Sequence, residues 1–215
     1  MGKIVDSTEV ERQWAERSGE FSPEYYAHYG PDETSDVVRR VLECHVDSES
    51  PILELGCSSG RHLSHLHDHG FTDLAGIEVN GDAREVMERA YPELADSVTF
   101  HHGAIDDVVR DFEDGQFAAV FSVETLQHLH PEADRVFDEL VRITDGILVT
   151  GENEGETERS DGDSAAVCYV NDEFPLYYRD WNAVFTARGF VEVAVNDDRR
   201  DTIRTFRSTP ESADR

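Results

Sequence analysis

The chain has 215 residues, 38% of them hydrophobic, and a net charge of −28. That composition supplies one globular core. It excludes a membrane helix, because no apolar run approaches the roughly 20 residues one needs, and a nucleic-acid backbone partner, which needs clustered Lys and Arg.

Residues 1–50 read as helical. Residues 10–15 form a polar helix carrying Trp14. An aromatic cluster from Phe21 to Tyr29 is closed by Gly30-Pro31. Residues 31–46 form a longer helix whose buried stripe is Val37, Val38, Val41 and Leu42. From residue 51 short apolar strands alternate with helices. The strands are 51–55, 74–79, 97–101, 117–122 and 146–150, and the helices between them are 61–69, 82–90, 105–112 and 131–143. Residues 151–163 are polar and read as a loop. A helix over 179–188 ends at Gly189, and strands over 190–195 and 202–206 form a hairpin. Residues 208–215 read as a disordered tail.

Alternating strands and helices predict an α/β fold, with a doubly wound, mostly parallel sheet of seven strands. The C-terminal hairpin adds an antiparallel strand and the N-terminal helices lie outside the sheet. The expected organisation is a helical lid or cap over 1–50, a core over 51–207 and the tail.

The first strand runs into Gly56-Cys57-Ser58-Ser59-Gly60 and then a helix. In a doubly wound sheet, ligands bind at the carboxyl ends of the strands, and glycines there let backbone approach a ligand. The spacing is not the G-x-G-x-x-G of pyrophosphate binders, and the lysine of a phosphate loop is missing. Glu54, two residues before Gly56, disfavours a phosphate and suits an ammonium group. Glu78 ends the second strand, where a carboxylate either stays solvated or accepts hydrogen bonds from ribose hydroxyls. Together the two acids describe a site for a positively charged nucleoside without phosphates.

These residues carry a family resemblance. Ile52-Leu53-Glu54-Leu55-Gly56-Cys57-Ser58-Ser59-Gly60-Arg61 resembles the first motif of class I S-adenosylmethionine-dependent methyltransferases, and Gly76-Ile77-Glu78 the second. His102-Gly103-Ala104-Ile105-Asp106 resembles the adenine segment, and residues 117–129 the fourth motif. The resemblance spans about residues 35–207 and implies a Rossmann-like fold with S-adenosyl-L-methionine as cofactor. It places Glu54, Gly56, Cys57, Ser58, Gly60, Glu78, Val79, Ala104, Ile105 and Ser122 around that cofactor, with Tyr29 reaching over it from the lid. Ser58 departs from the family, many members of which have glycine there. Gly56-Cys57, Gly60-Arg61, Gly76-Ile77-Glu78-Val79-Asn80 and Tyr178-Arg179-Asp180-Trp181 are similar to members associated with sugar and surface-polysaccharide biosynthesis.

The fourth motif, Ser122-Val123-Glu124-Thr125, is not the Asp/Asn-Pro-Pro-Tyr/Phe of nucleic-acid amino-methyltransferases, so a small-molecule acceptor is expected. His128 and His130 follow it and are the candidate general bases. Tyr25, Tyr26, His28 and Tyr29 either cover the cofactor or pack the N-terminal helices together. His62, His65, His67 and His69 read as solvated rather than as a metal site, because no H-E-x-x-H accompanies them. Cys44, Cys57 and Cys168 are expected as reduced thiols. The competing readings are a cofactor-binding module without catalysis and a nicotinamide-dependent oxidoreductase.

Met1-Gly2-Lys3-Ile4-Val5-Asp6 has no signal-peptide apolar region, and a cytoplasmic location is expected. Lys3 is the only lysine, and acids are spread along the whole chain. Such a surface suits a salt-saturated cytoplasm; the alternative is an acidic face for a cationic partner.

Overall fold

Each of the first three helices begins where a short polar side chain can accept its orphaned N–H groups. In α1 (Ser7–Ala15) the Asp6 carboxylate accepts from Glu9 N. In α2 (Pro23–Tyr29) Ser22 accepts from Tyr25 N, proline fills the first turn, and Gly30 ends the helix. Asp32 and Ser35 close a reciprocal capping box on α3 (Glu33–His45). The structure is a computed structural model describing residues 6–155, 167–170, 174–197 and 201–209.

The sheet follows as β1 (Ile52–Leu55), β2 (Leu74–Glu78), β3 (Thr99–His102), β4 (Phe117–Val123), β5 (Thr144–Glu152), β8 (Phe190–Asn196) and β9 (Thr202–Ser208). Their spatial order is β3-β2-β1-β4-β5-β9-β8. β1 pairs in parallel with both β2 and β4, while β9 runs antiparallel to β5 and to β8. The connecting helices are α4 (Arg61–Asp68), α5 (Ala83–Ala90), α6 (Pro92–Ser97), α7 (Ile105–Val108), α8 (Arg135–Ile143) and α9 (Trp181–Thr186).

Successive strand residues face opposite sides of a sheet, so the core divides in two. Leu53, Val120, Leu148 and Phe206 pack under Phe137 and Leu140 of α8 and Trp181 and Phe185 of α9. Ile52, Ala119, Phe121 and Val149 pack under Val38 and Leu42 of α3 and Leu63 and Leu66 of α4. The order reverses between β1 and β4, and at that switch point the carboxyl ends of the strands open a crevice.

Several boundaries differ from expectation. Pro92 starts a further short helix, α6, because proline is tolerated at a helix's first position. The expected helix 131–143 divides into a 3₁₀ turn over Pro131–Ala133 and then α8. β5 continues through Gly151 and Glu152, which pair with Ile203 and Thr202, so the polar loop begins two residues later. A separate hairpin, β6 (Val167–Val170) with β7 (Phe174–Tyr177), stands between β5 and α9. At the C-terminus Ser208 pairs with Phe190 inside the sheet. Residues 156–163 of the expected loop and 210–215 of the expected tail lie outside the described residues.

Candidate active site

The ends of β1, β2 and β4 line an open cleft of about 1160 Å³, a figure that includes adjoining solvent. After β1 the chain turns sharply. Gly56 has φ 67°, and a Cβ there would collide with the Thr125 side chain. Ser58 also takes a left-handed conformation, φ 49°, which explains the glycine common at this position in the family. Gly60 starts α4 and stands behind the cleft lining.

Two carboxylates face this loop. Glu78 Oε2 accepts from Ser58 N at 2.7 Å and Oε1 from Asn80 N at 2.8 Å. Burial pushes its pKa up, against those bonds. Glu54 is 1% exposed, and its Oε2 has no hydrogen-bond partner among the described residues. Burial holds its pKa well above the ordinary carboxylate range, opposed by the Arg61 guanidinium. An unpaired carboxylate oxygen in such a place demands a donor, and an ammonium group supplies one. Val79, Cys57, Ala104 and Ile105 line the same cleft.

The first helix closes the cleft from above. Val10, Glu11, Trp14 and Arg17 line it. Asn80 Nδ2 donates to the carbonyls of Trp14 at 3.2 Å and Arg17 at 3.0 Å, tying α1 to the end of β2. The Trp14 ring sits between His128, at 4.8 Å, and Phe174, at 4.7 Å, centroid to centroid.

His128 and His130 both line the cleft. His128 Nδ1 lies 2.9 Å from the Pro175 carbonyl. A carbonyl only accepts, so Nδ1 carries the proton and Nε2 is the basic nitrogen. Gln127 Nε2, a donor, lies 3.4 Å from that Nε2, in agreement. His130 Nδ1 accepts from Glu132 N at 3.3 Å, and its ring stands edge-on to Tyr177.

Three expected positions are corrected. Tyr29 is 65% exposed and packs on Tyr25 and His28, outside the cleft. The helical turn brings Tyr26 to the cleft instead, where Arg61 lies 4.8 Å over its ring. Ser122 is buried behind the lining and donates at 2.5 Å to Glu152 Oε1. His62 is buried, not solvated. Its Nδ1 is 2.7 Å from Ser35 Oγ, and burial pushes its pKa down to about 3. His65 pairs at 3.2 Å with Asp36. Among the described residues no group of three or more His, Cys, Asp or Glu side chains is placed to hold a metal.

Sequence reasoning missed Arg61, Asn80 and Glu152. The signal for the first two was their place, Arg61 directly after Gly60 and Asn80 two residues after Glu78. Glu152 carried none, because it ends an apolar strand and reads as the start of a polar loop. It is fully buried and accepts from Ser122 Oγ and from the backbone of Leu126 and Gln127, both at 3.1 Å. Burial pushes its pKa up to about 7.

Residues 52–145 match the family model of a methyltransferase domain. The fold is similar to that of the sugar N-methyltransferase KedS8 from Streptoalloteichus, with TM-score 0.67 and 19% identity over 91% of this chain and 95% of that one. It is also similar to the geranyl diphosphate C-methyltransferase from Streptomyces coelicolor, with TM-score 0.66 and 13% identity over 94% and 98%. A third likeness is the 1,6-didemethyltoxoflavin-N1-methyltransferase from Burkholderia thailandensis, with TM-score 0.63 and 12% identity over 83% and 78%. None of the curated proteins matches by sequence. The methyltransferase-domain match runs from β1 to the start of β5, and the cleft lies at the carboxyl ends of the strands within it.

Proposed function

We propose that the chain methylates a small-molecule acceptor bound between α1 and the turn after β4, with His128 as general base. The observation that carries this reading is the buried, unpartnered Oε2 of Glu54 beside Glu78 at the switch point. The pair fits S-adenosylmethionine, which carries an ammonium, a ribose and no phosphate. When bound, that cofactor supplies an electrophilic methyl group on sulfur for in-line displacement.

The chain's own residues do the rest. Glu54 takes the ammonium, Glu78 accepts from the ribose hydroxyls, and Ala104 and Ile105 flank the adenine. Gly56, Cys57, Ser58 and Val79 give the cofactor its floor, with Gly60 and Ser122 supporting that floor from behind. The tethered α1 excludes water, and holding the two reactants in line lowers the barrier by about 7 to 11 kcal/mol. His128 Nε2 takes the proton from a hydroxyl nucleophile, or from an ammonium to free the amine that attacks; His130 is the second candidate. Residues 1–50 thus act as the lid of a core that runs to the end of β9.

The neighbouring enzymes named for small-molecule substrates support a metabolite acceptor, and the sugar N-methyltransferase supports the sugar class in particular. The charge of −28 speaks against nucleic acid. Among the described residues no helix is long and apolar enough to cross a membrane, and the three cysteines are unpaired. A cytoplasmic, salt-adapted enzyme is part of this proposal and rests on the acidic composition.

Calorimetry with S-adenosylhomocysteine and with NAD is the direct test. Binding of the first and not the second is expected, and preference for NAD would overturn the cofactor assignment. Transfer of labelled methyl from S-adenosylmethionine to a panel of sugars, nucleotide sugars and small heterocycles then identifies the acceptor.

A further inference from the structure

The turn that carries His128, Leu126–His128, is a single 3₁₀ turn between the end of β4 and the start of α8. So short a segment does not hold its own geometry, since most of its backbone groups have no partner inside it. Their partners come from two buried side chains of opposite charge.

On one side stands Glu152, at the end of β5. Its Oε1 accepts from Leu126 N at 3.1 Å and Thr125 N at 3.4 Å, and its Oε2 from Gln127 N at 3.1 Å. Ser122 Oγ fixes the carboxylate from below. On the other side stands Arg179, just before α9 and 9% exposed. Its guanidinium donates to Leu126 O at 3.3 Å and to Leu129 O at 2.5 Å. The planar fork spans two carbonyls that one ammonium could not reach together. Neither residue is among those that line the cleft.

We infer that Glu152 and Arg179 are positioning residues, a pair of buried charges that grips the turn from its N–H side and its carbonyl side and thereby fixes the orientation of His128. The consequence lies in the imidazole. Only while the turn is held does Nδ1 stay within 2.9 Å of the Pro175 carbonyl, and that bond makes Nε2 the basic nitrogen. The bond from Thr125 N to Glu152 also helps hold Glu124, at φ 49° two residues before the turn, in a backbone that local preference opposes. The inference rests on the proposed role of His128 as base.

The test reads the histidine itself and needs no acceptor. In the 15N-labelled full chain, long-range 1H–15N correlation at a pH where the ring is neutral distinguishes the two His128 tautomers. The wild type is expected to show the Nδ1–H form alone. Glu152→Gln removes the carboxylate and puts an amide donor against backbone donors; Arg179→Met removes the fork. Each is expected to give mixed tautomers or the Nε2–H form, with S-adenosylhomocysteine affinity changed less than about threefold. Retention of the Nδ1–H form in both variants overturns the inference, and so does an Nε2–H wild type. If Glu152→Gln does not fold, Arg179→Met and Arg179→Lys decide the matter alone. Failure of the wild type to bind S-adenosylhomocysteine strikes the methyltransferase reading instead and leaves the tautomer result standing.

Discussion

Ser58 donates its backbone N–H to Glu78 Oε2 across 2.7 Å, linking the loop after β1 to the end of β2. The acid that should hold the ribose therefore also shapes the loop that should hold the methionine end. Glu78→Ala removes both functions. Its loss of charged hydrogen bonds, each about 1.5 to 3 kcal/mol, should weaken S-adenosylhomocysteine binding at least tenfold by calorimetry. Glu78→Gln should rescue little, because both carboxylate oxygens accept backbone N–H groups and an amide offers only one acceptor. Wild-type affinity in the alanine variant would remove Glu78 from the site.

Gly56 and Thr125 make a second joint, between the first and fourth motifs. A Cβ on Gly56 would strike the Thr125 side chain, and φ 67° is strained for any L side chain. Gly56→Ala should lower the urea midpoint and abolish cofactor binding. Adding Thr125→Ala removes both Oγ1 and Cγ2, the two atoms nearest the new Cβ, and should recover part of the stability, though not the φ penalty. An unaltered urea midpoint in the single variant would show that the loop can re-form around a side chain.

Much of this was legible in the sequence, for identifiable reasons. Glu54, Gly56 and Glu78 announce themselves because a switch-point loop leaves few alternatives to acid and glycine at those spacings. The doubly wound, mostly parallel sheet follows from the alternation of apolar runs with helices. Tyr29 misled because the aromatic cluster over 25–29 shows no polar face, and which ring turns inward is settled by the Arg61–Tyr26 contact, a tertiary fact. His62 misled because a run of alternating histidines hides the helical period that buries one of them against Ser35. The β6–β7 hairpin was invisible because Pro175 sits inside one of its strands, where the ladder ordinarily excludes proline.

His62 gives the fold an acid sensitivity with a defined sign. Its pKa falls from about 6.5 in the unfolded chain to about 3 in the folded one, chiefly by burial and then by Arg61; Asp32 opposes both. Between those values the unfolded chain binds the extra proton, so stability falls as pH drops below 6.5. At pH 5 the loss is about 2 kcal/mol from this group alone. His62→Gln can still bond Ser35 and does not titrate. The gap between wild-type and variant urea midpoints should therefore shift in the variant's favour from pH 7.5 to pH 5. Parallel pH profiles would show that His62 takes up its proton without unfolding.

Salt should act in the opposite direction to its usual effect on ion pairs. The described surface holds pairs such as Arg12 with Glu9 and Glu16, and Arg39 with Asp36 and Glu43. Exposed pairs of this kind contribute little to stability, and salt weakens them further. Against them stand 47 acidic and 19 basic residues, a surplus of 28 negative charges. Their mutual repulsion opposes the compact state and is screened as the Debye length shrinks from about 10 Å at 0.1 M to about 3 Å at 1 M. Since the surplus exceeds the number of basic partners, repulsion dominates and the melting temperature should rise with KCl. The form of the rise identifies its origin. Screening predicts a steep gain below about 0.5 M that levels off near 1 M, whereas exclusion of salt from the surface grows steadily with concentration. A melting temperature flat from 0.05 to 2 M KCl would mean that the acids are already far enough apart to ignore one another.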